Sequence, residues 1–174
     1  GGEIYMSAGH ATAAGGAVGG RFTVESGDST AGSSGEVLIR SVDAVSGSGM
    51  MVLSTGAATT GDTGRFTLGT GTTASGRGGD VYVSSGVGSG IGGEIRMSAG
   101  ASSAGAVGGR FSVESGDSTS GSSGEVLLRS VDAATGSGMM VLSTGATTAG
   151  PTGKIQIGSG ASTGARAGDV YVTS

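Results

Sequence analysis

Residues 19–30 read GGRFTVESGDST, and residues 108–119 read GGRFSVESGDST. In the first stretch Phe22 and Val24 alternate with polar residues between the glycines Gly20 and Gly27; Phe111 and Val113 do the same in the second. Alternation with period two sends one set of side chains to one face of an extended segment and the rest to the other. Recurrence at a fixed displacement marks a repeat architecture. SGEVLIRSVDA from Ser34 returns as SGEVLLRSVDA from Ser123, and SGMMVLSTGA from Ser48 returns unchanged from Ser137, each displaced by 89 positions. GGEIYMSAG from Gly1 and GGEIRMSAG from Gly92 are displaced by 91, so the first copy carries two more residues between Gly9 and Gly20.

A shorter period lies inside the long one. A glycine precedes each apolar burst, at Gly2, Gly20, Gly35, Gly49, Gly64, Gly79, Gly93, Gly109, Gly124, Gly138, Gly153 and Gly168. Their spacings are 14 to 16, apart from 18 after Gly2. Each coil reads G-x-Φ-x-Φ-x-[S/T/A], then in most coils a glycine, then small residues. The first apolar column runs from Ile4 and Phe22 to Val170, the second from Met6 and Val24 to Val172, and no polar residue interrupts either.

One short strand per coil cannot bury its apolar face, whereas coils stacked in register would form a continuous sheet. The expected fold is therefore all-β: a parallel β-solenoid (β-helix) of about 12 stacked coils of about 15 residues, organised as two six-coil repeats of 89 residues. Residues 1–174 form a single segment, with copy 1 about 1–91 and copy 2 about 92–174. Because Gly1 opens in mid-pattern without Met, the segment reads as part of a longer array. Each coil would add one strand spacing, so twelve would span about 55–60 Å.

The composition narrows the function classes. The chain has 41 Gly, one Pro, no Cys, no Trp and a net charge of −4. Glycine without a three-residue period and with scarce proline excludes collagen. One Lys and eight Arg, spread singly, offer no basic patch for nucleic acid. No apolar run approaches the length of a membrane span. The absence of Asn removes N-glycosylation, while dense Ser and Thr offer sites for O-linked glycans.

Outward positions carry a programme of their own. The residue after each leading glycine is Glu3, Arg21, Glu36, Met50, Arg65, Asp80, Glu94, Arg110, Glu125, Met139, Lys154 and Asp169 in turn. Stacked in register, most neighbours in this column are opposite charges, with Asp80 and Glu94 the one like-charged step. A second column sets Glu25 beside Arg40 and Glu114 beside Arg129. Such a ladder penalises a one-coil slip that would oppose like charges. Leu38, Met50 and Val52 form an exposed apolar cluster, repeated at Leu127, Met139 and Val141, and exposed apolar clusters mark contact surfaces. Tyr5, Tyr82 and Tyr171 are the exposed aromatics that join them as lateral contact candidates.

Motifs for chemistry are false matches. Gly88 to Gly93 fits GxGxxG without a following helix, and Gly160 to Gly164 fits GxSxG without a histidine partner. The one histidine, His10, is Ala101 in the second copy. Asp28, Asp43, Asp117 and Asp132 occur one per coil, too few oxygens for calcium, and are read as turn residues bonding their own backbone. No catalytic, cofactor-binding or metal residue is assigned, and the chain is not read as an enzyme. Val42 and Val131 replace the closing glycine in R-S-V-D-A.

The phrases SGEVL[IL]RSVDA, SGMMVLSTGA, GDVYVSSG and GGEIRMSAG together resemble the glycine-, serine- and threonine-rich repeat proteins of diatoms and related algae. That resemblance covers the whole chain and implies β-solenoid arrays in a large secreted or cell-surface repeat protein. The expected function is structural: an extracellular or cell-surface fibre or filament, self-assembled end to end by solenoid stacking and laterally through the apolar clusters. An ice-binding (antifreeze) solenoid is one alternative, weakened by the irregular placement of Thr30, Thr59, Thr60, Thr73, Thr119, Thr147 and Thr148. An adhesin or carbohydrate-binding module is the other, weakened by the wide spacing of the three tyrosines.

Overall fold

The computed structural model describes residues 2–12 and 15–173. Among these residues there is no helix, no strand and no sheet. This corrects the expectation of a parallel β-solenoid or β-helix of about 12 stacked coils. The fifteen-residue period survives in another form. Extended segments alternate with chain bends at 30–32, 45–46, 59–61, 74–76, 89–91, 103–106, 119–121, 134–135, 148–150 and 163–165, with a turn at 15–16. One bend separates each pair of successive apolar bursts.

Each bend belongs to a small loop that closes on itself. The leading glycine of one segment returns to the small residue that ended the segment before it. Thus a Cβ placed on Gly35 would lie 3.2 Å from the Ser26 Cβ, and one on Gly124 would lie 3.4 Å from the Ser115 Cβ. The same approach recurs at Gly20 on Ala8, Gly49 on Ser41, Gly64 on Thr55 and Gly79 on Thr70. In the second half Gly93 meets Ser85, Gly109 meets Ala99, Gly138 meets Ser130, Gly153 meets Thr144 and Gly168 meets Ser159. At Gly20, Gly35, Gly79, Gly93 and Gly109 a side chain would press on the preceding segment, whereas at Gly49, Gly64, Gly138, Gly153 and Gly168 it would meet ordinary contact.

Backbone hydrogen bonds close some necks and not others. Gly20 N–H donates to Gly9 O at 2.8 Å, Gly35 to Gly27 at 2.9 Å and Gly93 to Gly86 at 3.0 Å. Gly109 donates to Gly100 at 2.8 Å and Gly124 to Gly116 at 2.9 Å. The necks at Ser41 and Ser130, which are followed by Val42 and Val131, have no such bond among the described residues, and neither do those at Thr55, Thr70 and Thr144. At the Thr70 neck the threonine hydroxyl donates to Gly79 O at 3.1 Å in place of a backbone bond. The pattern repeats across the 89-residue displacement: Ala8 and Ala99 necks are closed, Ser26 and Ser115 necks are closed, and the two valine necks are open. The Ser159 neck likewise has no such bond among the described residues.

The physical reason for the correction is what the neck bond uses. In a solenoid the leading glycine N–H would serve a strand one coil away. Here the closing glycine, seven to eleven residues upstream, takes that donor in each of the five bonded necks. Alternation specifies an extended segment with two faces, but it does not specify a partner. Each burst has two alternating apolar residues, and the loops between bursts, mostly Gly, Ser, Thr and Ala, offer little surface to bury against them. The accessible surface is 17104 Å². For a chain of 16.2 kDa a compact fold would expose about 7,500 Å² and an extended chain about 23,500 Å². Among the described residues none is buried, and only Ala8, Ala11 and Ser26 are half-buried.

The two apolar columns are nonetheless distinguishable. In the first, side chains from Phe22 onward run from 46% exposure at Met51 to 59% at Phe66, while most of the second column is more exposed. Loop residues such as Val45 and Val87 are fully exposed. The chain divides into two units, Gly1–Val83 and Ser84–Ser174, each carrying six extended segments. That division precedes the copy boundary near residue 91.

Candidate assembly surface

Among the charged residues, ion pairs run along the chain and not between coils. Arg77 Nη2 lies 2.6 Å from Asp80 Oδ1, Arg166 Nη2 lies 2.5 Å from Asp169 Oδ1, and Arg110 Nη2 lies 3.7 Å from Glu114 Oε1. Among the described residues the structure brings together none of the cross-coil pairs of the ladder. Glu3, Arg21, Glu36, Arg65, Glu94, Glu125 and Lys154 stand exposed on separate segments, as do Glu25, Arg40 and Arg129. Arg110 and Glu114 are linked through Ser112, whose hydroxyl donates to Glu114 Oε1 at 2.7 Å and accepts from Arg110 at 3.4 Å. An exposed pair of this kind contributes about 0–1 kcal/mol.

Asp80 and Asp169 have the most organised surroundings. The Tyr82 hydroxyl donates to Asp80 Oδ2 at 3.2 Å, and the Tyr171 hydroxyl donates to Asp169 Oδ2 at 3.1 Å. Each carboxylate therefore receives an arginine on one oxygen and a phenol on the other. Arg77 and Arg166 lie in the loops and were not part of the outward columns. The signal that finds them is the phrase R-x-G-D-V-Y, which recurs at a displacement of 89.

The apolar contact candidates are all exposed: Leu38, Met50 and Val52 in the first copy, Leu127, Met139 and Val141 in the second, and Tyr5, Tyr82 and Tyr171. Exposure extends to the columns expected to face inward, for example Ile39, Leu53, Leu128 and Leu142. Both faces of the segments are therefore available to a partner, which alternation within the sequence did not disclose.

The turns are organised by hydroxyls. Ser29 Oγ accepts from Gly32 N–H at 2.9 Å, Ser118 Oγ from Gly121 N–H at 2.8 Å and Ser162 Oγ from Ala165 N–H at 3.0 Å. Thr73 and Thr147 accept from the residue two further on at 3.4 and 3.3 Å. These are the side-chain turns that short hydroxyl residues make. The role expected of Asp28 and Asp117 falls to the serine that follows each of them. The GxGxxG match at Gly88 is a tight turn, in which a Cβ on Gly88 would collide with the Ile91 carbonyl oxygen.

Among the described residues no cavity forms, and no three His, Cys, Asp or Glu side chains converge as metal ligands. Among the described residues no helix is long and apolar enough to cross a membrane. Comparison with known proteins finds no matching family, no similar curated protein and no similar solved structure.

Proposed function

We propose that this chain is a structural element that associates laterally with copies of itself to build an extracellular or cell-surface fibre. The single observation behind this reading is the periodic apolar surface left open where none of the described residues is buried. Two dozen apolar positions recur on alternate sites of the segments and stand exposed or half-exposed. Burial of apolar surface is the main favourable term in association, so copies of the chain gain what the single chain lacks. The resemblance of its phrases to algal secreted repeat proteins supports a place outside the cell. The charges alternate in sign along the segments, which favours a staggered neighbour over one placed with like charges opposed. The route by end-to-end stacking rested on open sheet edges and loses that premise; lateral association does not depend on it.

Sedimentation velocity of the full chain over a wide concentration range, with electron microscopy of the same samples, tests the reading. Association that grows with concentration and yields filaments is the expected result. Monomers at every concentration would overturn it.

A further inference from the structure

Two sites stand apart from the exposed chain, one in each copy. At each, an arginine and a tyrosine hold the two oxygens of one aspartate: Arg77, Asp80 and Tyr82, then Arg166, Asp169 and Tyr171. The guanidinium fixes the carboxylate and leaves Oδ2 directed at the phenol. Both rings are open to solvent, at 88% and 82% exposure. Tyr5 is equally open but, among the described residues, has no carboxylate partner, although Glu3 stands two positions before it. In the second copy Tyr5 is replaced by Arg96, whereas the D-V-Y phrase is kept.

We propose that Tyr82 and Tyr171 are sites of oxidative tyrosine coupling, with Asp80 and Asp169 as the acceptors of the phenolic proton. The chain has no cysteine, so a disulfide is not open to it as a covalent cross-link. The co-reactant is a one-electron oxidant, such as a haem peroxidase with hydrogen peroxide. Each phenol gives up one electron to the oxidant while its proton passes to Oδ2 of the neighbouring aspartate. Two tyrosyl radicals then join through a carbon–carbon bond between the ring positions ortho to oxygen. The hydrogens on those two carbons move to the oxygens and restore both phenols. In total two electrons and two protons leave the pair, and one hydrogen peroxide takes them up to become two waters. The carboxylate matters because moving the proton with the electron avoids a protonated phenol radical, and a held acceptor needs no solvent rearrangement. One such site per 89-residue copy gives a repeating array evenly spaced links, and links between chains rest on the self-association proposed above.

The test treats the full chain with peroxidase and hydrogen peroxide at low conversion and maps dityrosine peptides by mass spectrometry. Tyr82 and Tyr171 should couple about fivefold faster than Tyr5. The double variant Asp80→Asn, Asp169→Asn should lower both to the Tyr5 rate. Equal rates at the three tyrosines, or no loss in the double variant, would overturn the assignment. Sedimentation of the same untreated samples separates the two readings. Selective, aspartate-dependent coupling in a chain that stays monomeric removes the fibre and keeps the site; association with unselective coupling does the reverse.

Discussion

At Gly93 the backbone passes so close to the end of the preceding segment that a Cβ would lie 2.9 Å from the Ser85 Cβ and 3.4 Å from the Gly86 nitrogen and oxygen. Gly86, at the other side of the same neck, faces open space. The two glycines look alike in the sequence and differ in what they tolerate. Gly93→Ala should open the neck and expose the Gly93 amide, while Gly86→Ala should leave it closed; amide hydrogen exchange at residue 93 checks both. The reverse order, or equal effects, would show that the close approach is not what holds the loop. Ser85 adds a second clasp, since its hydroxyl donates to Gly93 O at 2.8 Å. At Asp80 the alternating column was legible, but its partner Arg77 was not. The arginine lies three residues back in a loop, and only the bend of that loop carries it to the carboxylate.

Among the elements, the loops are better organised than the segments they join. The loops from Gly27 to Gly35 and from Gly116 to Gly124 combine a bonded glycine neck with a hydroxyl turn, and both devices act within a dozen residues. Ser118→Ala should raise the exchange rate of the Gly121 amide about fivefold, the loss of a hydrogen bond of about 1 kcal/mol. Asp117→Asn should leave that amide unchanged, because the aspartate takes no part in the turn. An equal effect of the two substitutions would return the turn to the aspartate. That a loop of small residues separates successive bursts was readable from the fifteen-residue period. The choice of serine over aspartate was not, since both side chains form the same kind of turn and only the backbone path selects between them.

For the whole molecule, the lack of any buried residue among those described determines how the chain behaves alone. Cooperative unfolding requires a core whose parts fail together. A dilute sample should therefore lose its circular dichroism signal gradually with urea, without a sigmoidal transition. A sharp transition that persists on dilution would show a core formed within one chain. The double variant Leu38→Ser, Val52→Ser removes two apolar groups from one exposed cluster, and should shift association measured by sedimentation to about tenfold higher concentration. Unchanged sedimentation would place the contact elsewhere.

Several features followed from sequence: the fifteen-residue period, the extended segments, the loops between them and the 89-residue copy. Each is local, set by alternation of side chains or by where glycine permits a bend. The sheet did not follow, because pairing is a relation between segments, and identical alternation serves a stacked strand and an unpaired one equally well. Only the tertiary structure decided that five leading glycines donate to their own loops, as Gly35 does to Gly27, and that the apolar columns stand open among the described residues. A loop within one coil closes on what is nearest, and two apolar residues per coil bury too little to draw the segments into a sheet.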